Sequence, residues 1–321
     1  MNISDLIKKV PGGIILIPMC FTAIINTIWP GFWTITGPAT PSTGIFANGA
    51  LVVIGMLLFV SGSQLKLNQL GIALARGGVL TLMRLLIGYV VALIAVKLLG
   101  NTGSIWGIST MALVIVASSC NPGIYMGLMN NFGDNIDKAA VGIMNIIAVP
   151  TTPLILIDLA GGHFNMMVVL GTIIPFALGI IVGNIDSNMQ KMLAPASGIT
   201  LFFLGFSLGA GLNLIEAVKS GVGGVLLACL SLILLPIMIL TDKAILRRPG
   251  YAATAISTIG GIAIASPAFI ARSMPNVPEY AEIAKSATPQ ITLAMIIVAI
   301  VFPFIAKALA PKAPEKSEAA A

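Results

Sequence analysis

The sequence predicts an all-α polytopic membrane protein with about ten transmembrane helices, arranged as two inverted five-helix repeats. Composition, the spacing of apolar runs and similarity between the two halves all favour this fold class. Of the 321 residues, 57% are hydrophobic and only 9% are charged, and the mean hydropathy is +1.03. A soluble domain carries about 25% charged residues. So few charges cannot cover a water-facing surface, whereas lipid solvates the excess apolar side chains.

Ten apolar runs between charged or Gly/Pro/Asn breaks are long enough to cross a bilayer, which takes about 20 residues of helix. The expected spans are 10–29, 44–64, 78–99, 105–131, 137–160, 164–184, 195–214, 220–240, 250–274 and 286–308.

The distribution of basic residues supports an even number of spans with both termini in the cytoplasm. With that topology, 13 of the 17 Lys and Arg residues, Arg84 among them, lie inside or at the inner end of a helix. The other basic residues, Lys97, Lys219, Arg272 and Lys285, lie outside. We therefore expect a multi-pass protein with cytoplasmic ends.

Several function classes are disfavoured by composition. The net charge of +6 comes without a Lys/Arg-rich run interleaved with aromatic residues, so we expect no nucleic-acid partner. The three cysteines lack metal-ligand spacing and His163 is the only histidine, so we expect no metal site, cofactor or disulfide framework. A membrane-embedded enzyme needs a nucleophile–base pair or central aspartates. No such residues are recognised, and we predict no catalytic residue.

Four segments of the first half have counterparts, in the same order, in the second half. Five spans per unit means that the second unit enters the membrane from the opposite side, as in the inverted repeats of secondary transporters. The expected units are 1–160 and 161–310, followed by a disordered cytoplasmic tail, 311–321. The paired segments are Ile17-Pro18 with Ile174-Pro175, FVSGSQLKL (59–67) with FSLGAGLNL (206–214), GGVL at 77–80 with GGVL at 223–226, and 118–131 with 263–276.

Spans four and nine carry helix-breaking residues at corresponding positions. Proline lacks an N–H group and disfavours helical geometry at the residue before it. We expect second half-helices to begin at about Pro122 and Pro267, with their positive dipole ends near the midplane, where they suit an anion. The alternative is an ordinary proline kink with small residues for helix packing. The run from Ser61 to Gln64 is interpreted as a packing segment.

Polar residues in and near the two breaks are the candidate substrate-binding groups. A lone threonine in a membrane helix often bonds its own backbone. Arg272 has two interpretations, since it can face a carboxylate or extend to the outer interface. The predicted substrate-binding residues are Ser118, Ser119, Asn121, Gly123, Asn145, Thr151, Thr258, Ser266, Gln290 and Arg272.

The coupling ion stays open between H⁺ and Na⁺. No Asp or Glu lies at the centre of an expected span, and Asp158, near the end of span five, comes closest. A proton relay normally uses an intramembrane carboxylate or histidine. A sodium site can instead use hydroxyl, amide and unwound carbonyl oxygens.

Segments along the whole chain resemble the 2-keto-3-deoxygluconate permease family. The segments that carry this resemblance are IKKVPGGIILIP, FVSGSQLKL, NPGIYMGLMNNFGD and GYAATAISTIGGIAIASPAFIARSMP. The resemblance implies a bacterial inner-membrane symporter for a sugar-acid anion, usually proton-coupled. It also implies the fold of the bile acid–sodium symporters, with a core of spans 3–5 and 8–10 and a panel of spans 1, 2, 6 and 7.

The chain departs from the family pattern at three places. The family has acidic residues where Ser118 and Arg272 stand and another near Ile147, whereas Asn121, Gly123, Tyr125 and Pro150 fit. These departures leave the coupling ion and the acid open. We expect alternating-access uptake of a small organic anion, with 2-keto-3-deoxygluconate or a related sugar acid as the leading substrate. The alternatives are a sodium-coupled or uncoupled carrier of another small carboxylate, a passive channel and a membrane enzyme. A homodimer is compatible with the sequence.

Overall fold

The structure is a computed structural model that describes residues 7, 13–67, 71, 74–162, 166–219 and 221–311. Within these residues nearly all regular structure is helical, which confirms the all-α class. The two strands, β1 (Ser104–Ile105) and β2 (Ile108–Ser109), form one antiparallel hairpin. His163 and the predicted tail, from residue 312 onward, lie outside the described residues.

The described residues of the first half of the chain form nine helices, together with a 3₁₀ turn (Phe32–Thr34) and a π-helical turn (Leu74–Gly78). The helices are α1 (Gly13–Ile28), α2 (Pro41–Phe46), α3 (Ala50–Ser63), α4 (Val79–Leu99), α5 (Thr110–Ser118), α6 (Pro122–Phe132), α7 (Asn135–Ala139), α8 (Val141–Ile147) and α9 (Thr151–Ala160).

In the second half, the part that the structure describes forms eight helices and a 3₁₀ turn (Gly261–Ala265). The helices are α10 (Met166–Ile185), α11 (Ser187–Leu193), α12 (Ala196–Gly209), α13 (Leu214–Lys219), α14 (Gly221–Ala244), α15 (Tyr251–Ile256), α16 (Ser266–Ser273) and α17 (Glu279–Leu309).

Six helical stretches among the described residues are long and apolar enough to cross a membrane, which supports a multi-pass membrane protein. They are Leu74–Leu99, Thr110–Phe132, Ser187–Gly209, Gly221–Ala244, Tyr251–Ser273 and Glu279–Leu309. Four shorter apolar stretches are Gly13–Ile28, Ala50–Ser63, Thr151–Ala160 and Ile173–Ile185.

The starts of expected spans four and ten are displaced by several residues. Span four does not start at residue 105, because the hairpin occupies 104–109 and α5 starts at Thr110, where the Ser109 hydroxyl accepts a hydrogen bond from the Ala112 N–H. Span ten starts at Glu279 rather than 286. Glu279 and Glu282 lie in the first turn of α17, where negative charge complements the helix dipole.

The helices pack in two groups. In one, α1 packs on α12, and α3 packs on both α10 and α12; in the other, α4, α5, α9 and α14 to α17 pack on one another. Glycines permit the tightest contacts in the first group. A Cβ on Gly62 would lie 2.1 Å from the Phe176 carbonyl oxygen, and one on Gly209 would lie 2.0 Å from that of Met19. Backbones therefore meet directly, as small residues allow in membrane helices.

An ion cluster ties α7 to the segment before α15. Asp137 is fully buried and accepts hydrogen bonds from Arg248 and the Tyr251 hydroxyl. Burial lowers the pKa of Arg248, but its hydrogen bond to Asp137 and the charge of that carboxylate outweigh burial and raise the pKa above its ordinary value. Arg76 adds a second cation, paired with Asp134.

Candidate functional site

The expected fourth span is interrupted where the sequence predicts it. α5 ends at Ser118, Ser119 and Asn121 have extended backbones, and α6 begins at Pro122. The Asn121 Oδ1 accepts a hydrogen bond of 3.1 Å from the Ile124 N–H and so caps α6. The predicted start of the second half-helix is confirmed.

The expected ninth span is interrupted in a corresponding way. α15 ends at Ile256, the backbone is extended at Gly260, and a 3₁₀ turn leads into α16 at Ser266. The start expected at about Pro267 is correct to one residue.

The two interruptions touch each other. The Asn121 Nδ2 donates a hydrogen bond of 3.2 Å to the Ile259 carbonyl oxygen. A Cβ on Gly260 would lie 2.2 Å from the Cys120 carbonyl oxygen, so a side chain at this position would separate the two segments. We call this contact, between residues 118–122 and 257–261, the helix crossing.

A fully buried arginine lies at the helix crossing. Arg84 of α4 donates to the carbonyl oxygens of Ser119 (3.0 Å), Val116 (2.8 Å) and Ser257 (3.4 Å). Arg84 was expected only as a basic residue at the inner end of its span; the structure shows that its side chain reaches into the protein, to backbone acceptors freed by the interruptions. The sequence does contain an indication of this position, namely a single arginine inside an apolar run. Such residues usually face the interior of the helix bundle and have a functional role.

A cavity of about 640 Å³ opens beside the crossing, between the two helix groups. Asn121, Gly123 and Asn145 line one side. Residues of α1, α3 and α12 line the other, including Ser61, Gln64 and Ser197. No described lining residue is charged. The wall is mainly apolar with a few amides and hydroxyls, a combination typical of small-molecule sites.

The structure brings only part of the predicted site together. Asn121, Gly123 and Asn145 share the large cavity, while Ser119 and Ser266 line a separate void of about 10 Å³ behind it. The hydroxyls of Ser118 and Thr258 bond carbonyl oxygens of their own helical turns, those of Val114 and Ala255.

The remaining three predicted residues do not line the large cavity. The Thr151 hydroxyl is buried without a hydrogen-bond partner among the described residues. The Gln290 Nε2 donates to the Gly107 carbonyl oxygen at 2.9 Å, and exposed Arg272 donates to that of Ala47 at 3.5 Å.

Sequence reasoning missed the polar residues on the opposite wall. Ser61 and Gln64 come from the segment interpreted as packing, and both line the cavity. Gln64 also donates to the Gln190 carbonyl oxygen at 2.9 Å. A glutamine at the end of an apolar run was the available signal, since its amide needs partners.

Residues 4–315 match the family described as 2-keto-3-deoxygluconate permease. The chain belongs to this family. Relatives confirm the match over nearly the whole length. 2-Keto-3-deoxygluconate permease 1 of Salmonella typhimurium is 32% identical over 313 residues, covering 97% of this chain and 96% of that protein.

Two further permeases of the family are similarly related. The 2-keto-3-deoxygluconate permease of Tolumonas auensis is 31% identical, covering 95% of this chain and 91% of that protein. That of Pectobacterium carotovorum subsp. carotovorum is 31% identical, covering 97% and 99%. No solved structure matches the chain. Family membership makes the chain a membrane permease, and not an enzyme.

Proposed function

We propose that this permease takes up 2-keto-3-deoxygluconate or a closely related sugar acid across the bacterial inner membrane, as a symporter working by alternating access. The observation that carries the proposal is a cavity at the N-terminal end of α6 whose described lining residues carry no charge, in a chain whose relatives are named for this sugar acid. A helix N-terminus favours an anion without a cationic side chain.

Within this proposal, the substrate carboxylate lies at the start of α6. Gly123 is the second residue of α6 and is exposed at the cavity, so a carboxylate can approach its backbone closely. Asn121 and Asn145 supply amide groups for the carboxylate and the sugar hydroxyls. The cavity volume of about 640 Å³ is within the range of about 300–1,000 Å³ common for small-ligand pockets. A binding role for the other seven predicted residues stays a prediction.

We further propose ten spans in two inverted repeats, with a panel of spans 1, 2, 6 and 7 moving against a core of spans 3–5 and 8–10. Equivalent glycines support the repeat. Gly62 of span two packs on span six, and its counterpart Gly209 of span seven packs on span one. The cavity between the helix groups supports the moving interface.

Both termini are proposed to be cytoplasmic. The cavity wall then includes the cytoplasmic ends of spans one, two and seven, at Gly13, Gln64 and Ser197. The described conformation would be open toward the cytoplasm.

Counterflow in proteoliposomes tests the proposed function. Vesicles loaded with unlabelled 2-keto-3-deoxygluconate should transiently accumulate the labelled acid from outside, and imposed H⁺ or Na⁺ gradients should identify the coupling ion. Equal loading with gluconate and glucuronate tests related acids. Failure to exchange any of these acids would contradict the proposal, and saturable exchange without accumulation under either gradient would indicate an uncoupled carrier.

A further inference from the structure

Arg84 is a buried cation with an unusual set of partners. Its side chain is fully buried in the second turn of α4. Its three acceptors are main-chain carbonyl oxygens, those of Val116, Ser119 and Ser257. Among the described residues no carboxylate pairs with it, and its Nη1 has no acceptor.

The position of these carbonyl groups explains how the charge is stabilised. Val116 and Ser119 lie at the C-terminal end of α5, and Ser257 directly follows α15. The C-terminal end of a helix carries partial negative charge. The crossing brings two such ends together, and a buried cation between them offsets both. The planar guanidinium suits the task because it donates in several fixed directions at once.

Carbonyl oxygens at interrupted helices are also the ligands that broken-helix transporters offer to a monovalent metal cation. In this chain the guanidinium already uses three of them. We propose that Arg84 is a resident cation of the helix crossing, which holds the ends of α5 and α15 together where a bound Na⁺ would otherwise be needed. This inference rests on the proposed transport function and assigns Arg84 a positioning role, because Arg84 does not line the cavity.

The proposal makes cation dependence the decisive property. Uptake by the wild type should proceed equally when Na⁺ is replaced by choline under an imposed proton gradient. Arg84→Ser should leave a space lined by the three carbonyl oxygens, with uptake reduced at least about tenfold. Millimolar guanidinium or Na⁺ should restore part of that uptake and raise the thermal unfolding temperature.

Three further variants separate the effects of packing, of charge and of a cation elsewhere on the same helix. Arg84→Met removes the charge but fills the space, so added cations should restore nothing. Arg84→Lys keeps the charge with one donor group and should retain Na⁺-independent uptake at a reduced rate, which keeps the proposal testable if the serine variant does not fold. Lys97→Ala removes an exposed cation from the last turn of the same helix and should show no cation dependence.

The outcomes separate this inference from the function on which it rests. Na⁺-dependent uptake by the wild type, a folded serine variant that no cation rescues, or a lysine variant as inactive as the methionine variant would each overturn the role of Arg84. Absence of uptake by the wild type in every medium would instead contradict the transport proposal. In that case the role of Arg84 can still be tested by thermal unfolding. Guanidinium should raise the unfolding temperature of Arg84→Ser but not that of Arg84→Met.

Discussion

The Asn121 side chain makes two hydrogen bonds, and different substitutions remove one or both of them. Its Oδ1 caps α6 and its Nδ2 bonds the Ile259 carbonyl oxygen. Asn121→Asp keeps a capping oxygen, whereas Asn121→Ala loses both contacts and about 1 kcal/mol of helix capping. An aspartate also places negative charge beside the proposed carboxylate position, where repulsion of about 1–4 kcal/mol applies at 4 Å.

We therefore expect Asn121→Asp to raise the KM for the sugar acid at least about tenfold, and further than Asn121→Ala does. The alanine variant should be the less stable of the two. Initial uptake rates in proteoliposomes give the KM of each variant, and thermal unfolding in detergent gives their relative stability. A KM higher for alanine than for aspartate would place the carboxylate elsewhere.

For single residues, the sequence predicts a role well when that role depends on the backbone next to the residue. Asn121 and Gly123 are found because a proline beside them marks the interruption. Residues whose role depends on side-chain direction are less accessible. Arg272 follows the second interruption in sequence, yet its side chain bonds the Ala47 carbonyl oxygen. Gln290 lies in expected span ten, and its side chain bonds the Gly107 carbonyl oxygen and does not line the cavity. The role of Arg84 is not predicted, because hydropathy shows only that Arg84 lies near the start of an apolar run. It does not show that carbonyl oxygens at the ends of other helices surround the side chain.

The pairing of α3 with α10 depends on the absence of a side chain at Gly62. Gly62→Ala puts a Cβ about 2.1 Å from the Phe176 carbonyl oxygen, so the helices must separate. Overpacking of this kind costs about 1–3 kcal/mol, and we expect a lower unfolding temperature in detergent. Gly55→Ala on the same helix is the matched control, since nothing lies within 4 Å of its added Cβ. Equal effects of the two substitutions would contradict the close helix contact.

The connection between α7 and the segment before α15 depends on Asp137. Asp137→Ala leaves Arg248, whose side chain is only 9% exposed, without its carboxylate partner. Breaking a buried pair costs about 3–5 kcal/mol. We expect a large fall in unfolding temperature. Glu282→Ala removes the exposed carboxylate paired with Lys285 and should lower stability by no more than about 1 kcal/mol, since exposed ion pairs and helix-dipole contacts are both weak. A small effect of Asp137→Ala would show that the cluster is solvated and weak.

Apolar runs predict the helices of this chain well, because each span needs a long hydrophobic stretch. They do not predict its irregular elements. The 104–109 hairpin contains Ile105 and Trp106, whose apolar side chains led to their assignment to a membrane helix. The expected fifth span is also interrupted, since α8 ends at Ile147 and α9 starts at Thr151. Pro150 and Pro153 signal an irregularity there, but hydropathy cannot separate a kink from a break.

For the molecule as a whole, the side to which the cavity opens can be measured. Gly127 lines the cavity, is exposed, and has nothing within 4 Å of an added Cβ. In a variant without the three natural cysteines, Gly127→Cys should react with a membrane-impermeant maleimide in inside-out vesicles. Added 2-keto-3-deoxygluconate should slow the reaction. Lys285→Cys, on the proposed outer side, should show the opposite sidedness. Faster labelling of Gly127→Cys in right-side-out vesicles would invert the proposed topology.

The fastening of the helix crossing has a consequence for the direction of transport. Asn121 and Arg84 tie the interrupted segments to each other, and none of their described hydrogen bonds reaches α1, α3 or α12. The polar groups that meet the substrate can then keep the same partners while access alternates. Under this arrangement we expect similar dissociation constants from the two faces of the membrane. The permease would be freely reversible, and gradients alone would decide between entry and efflux.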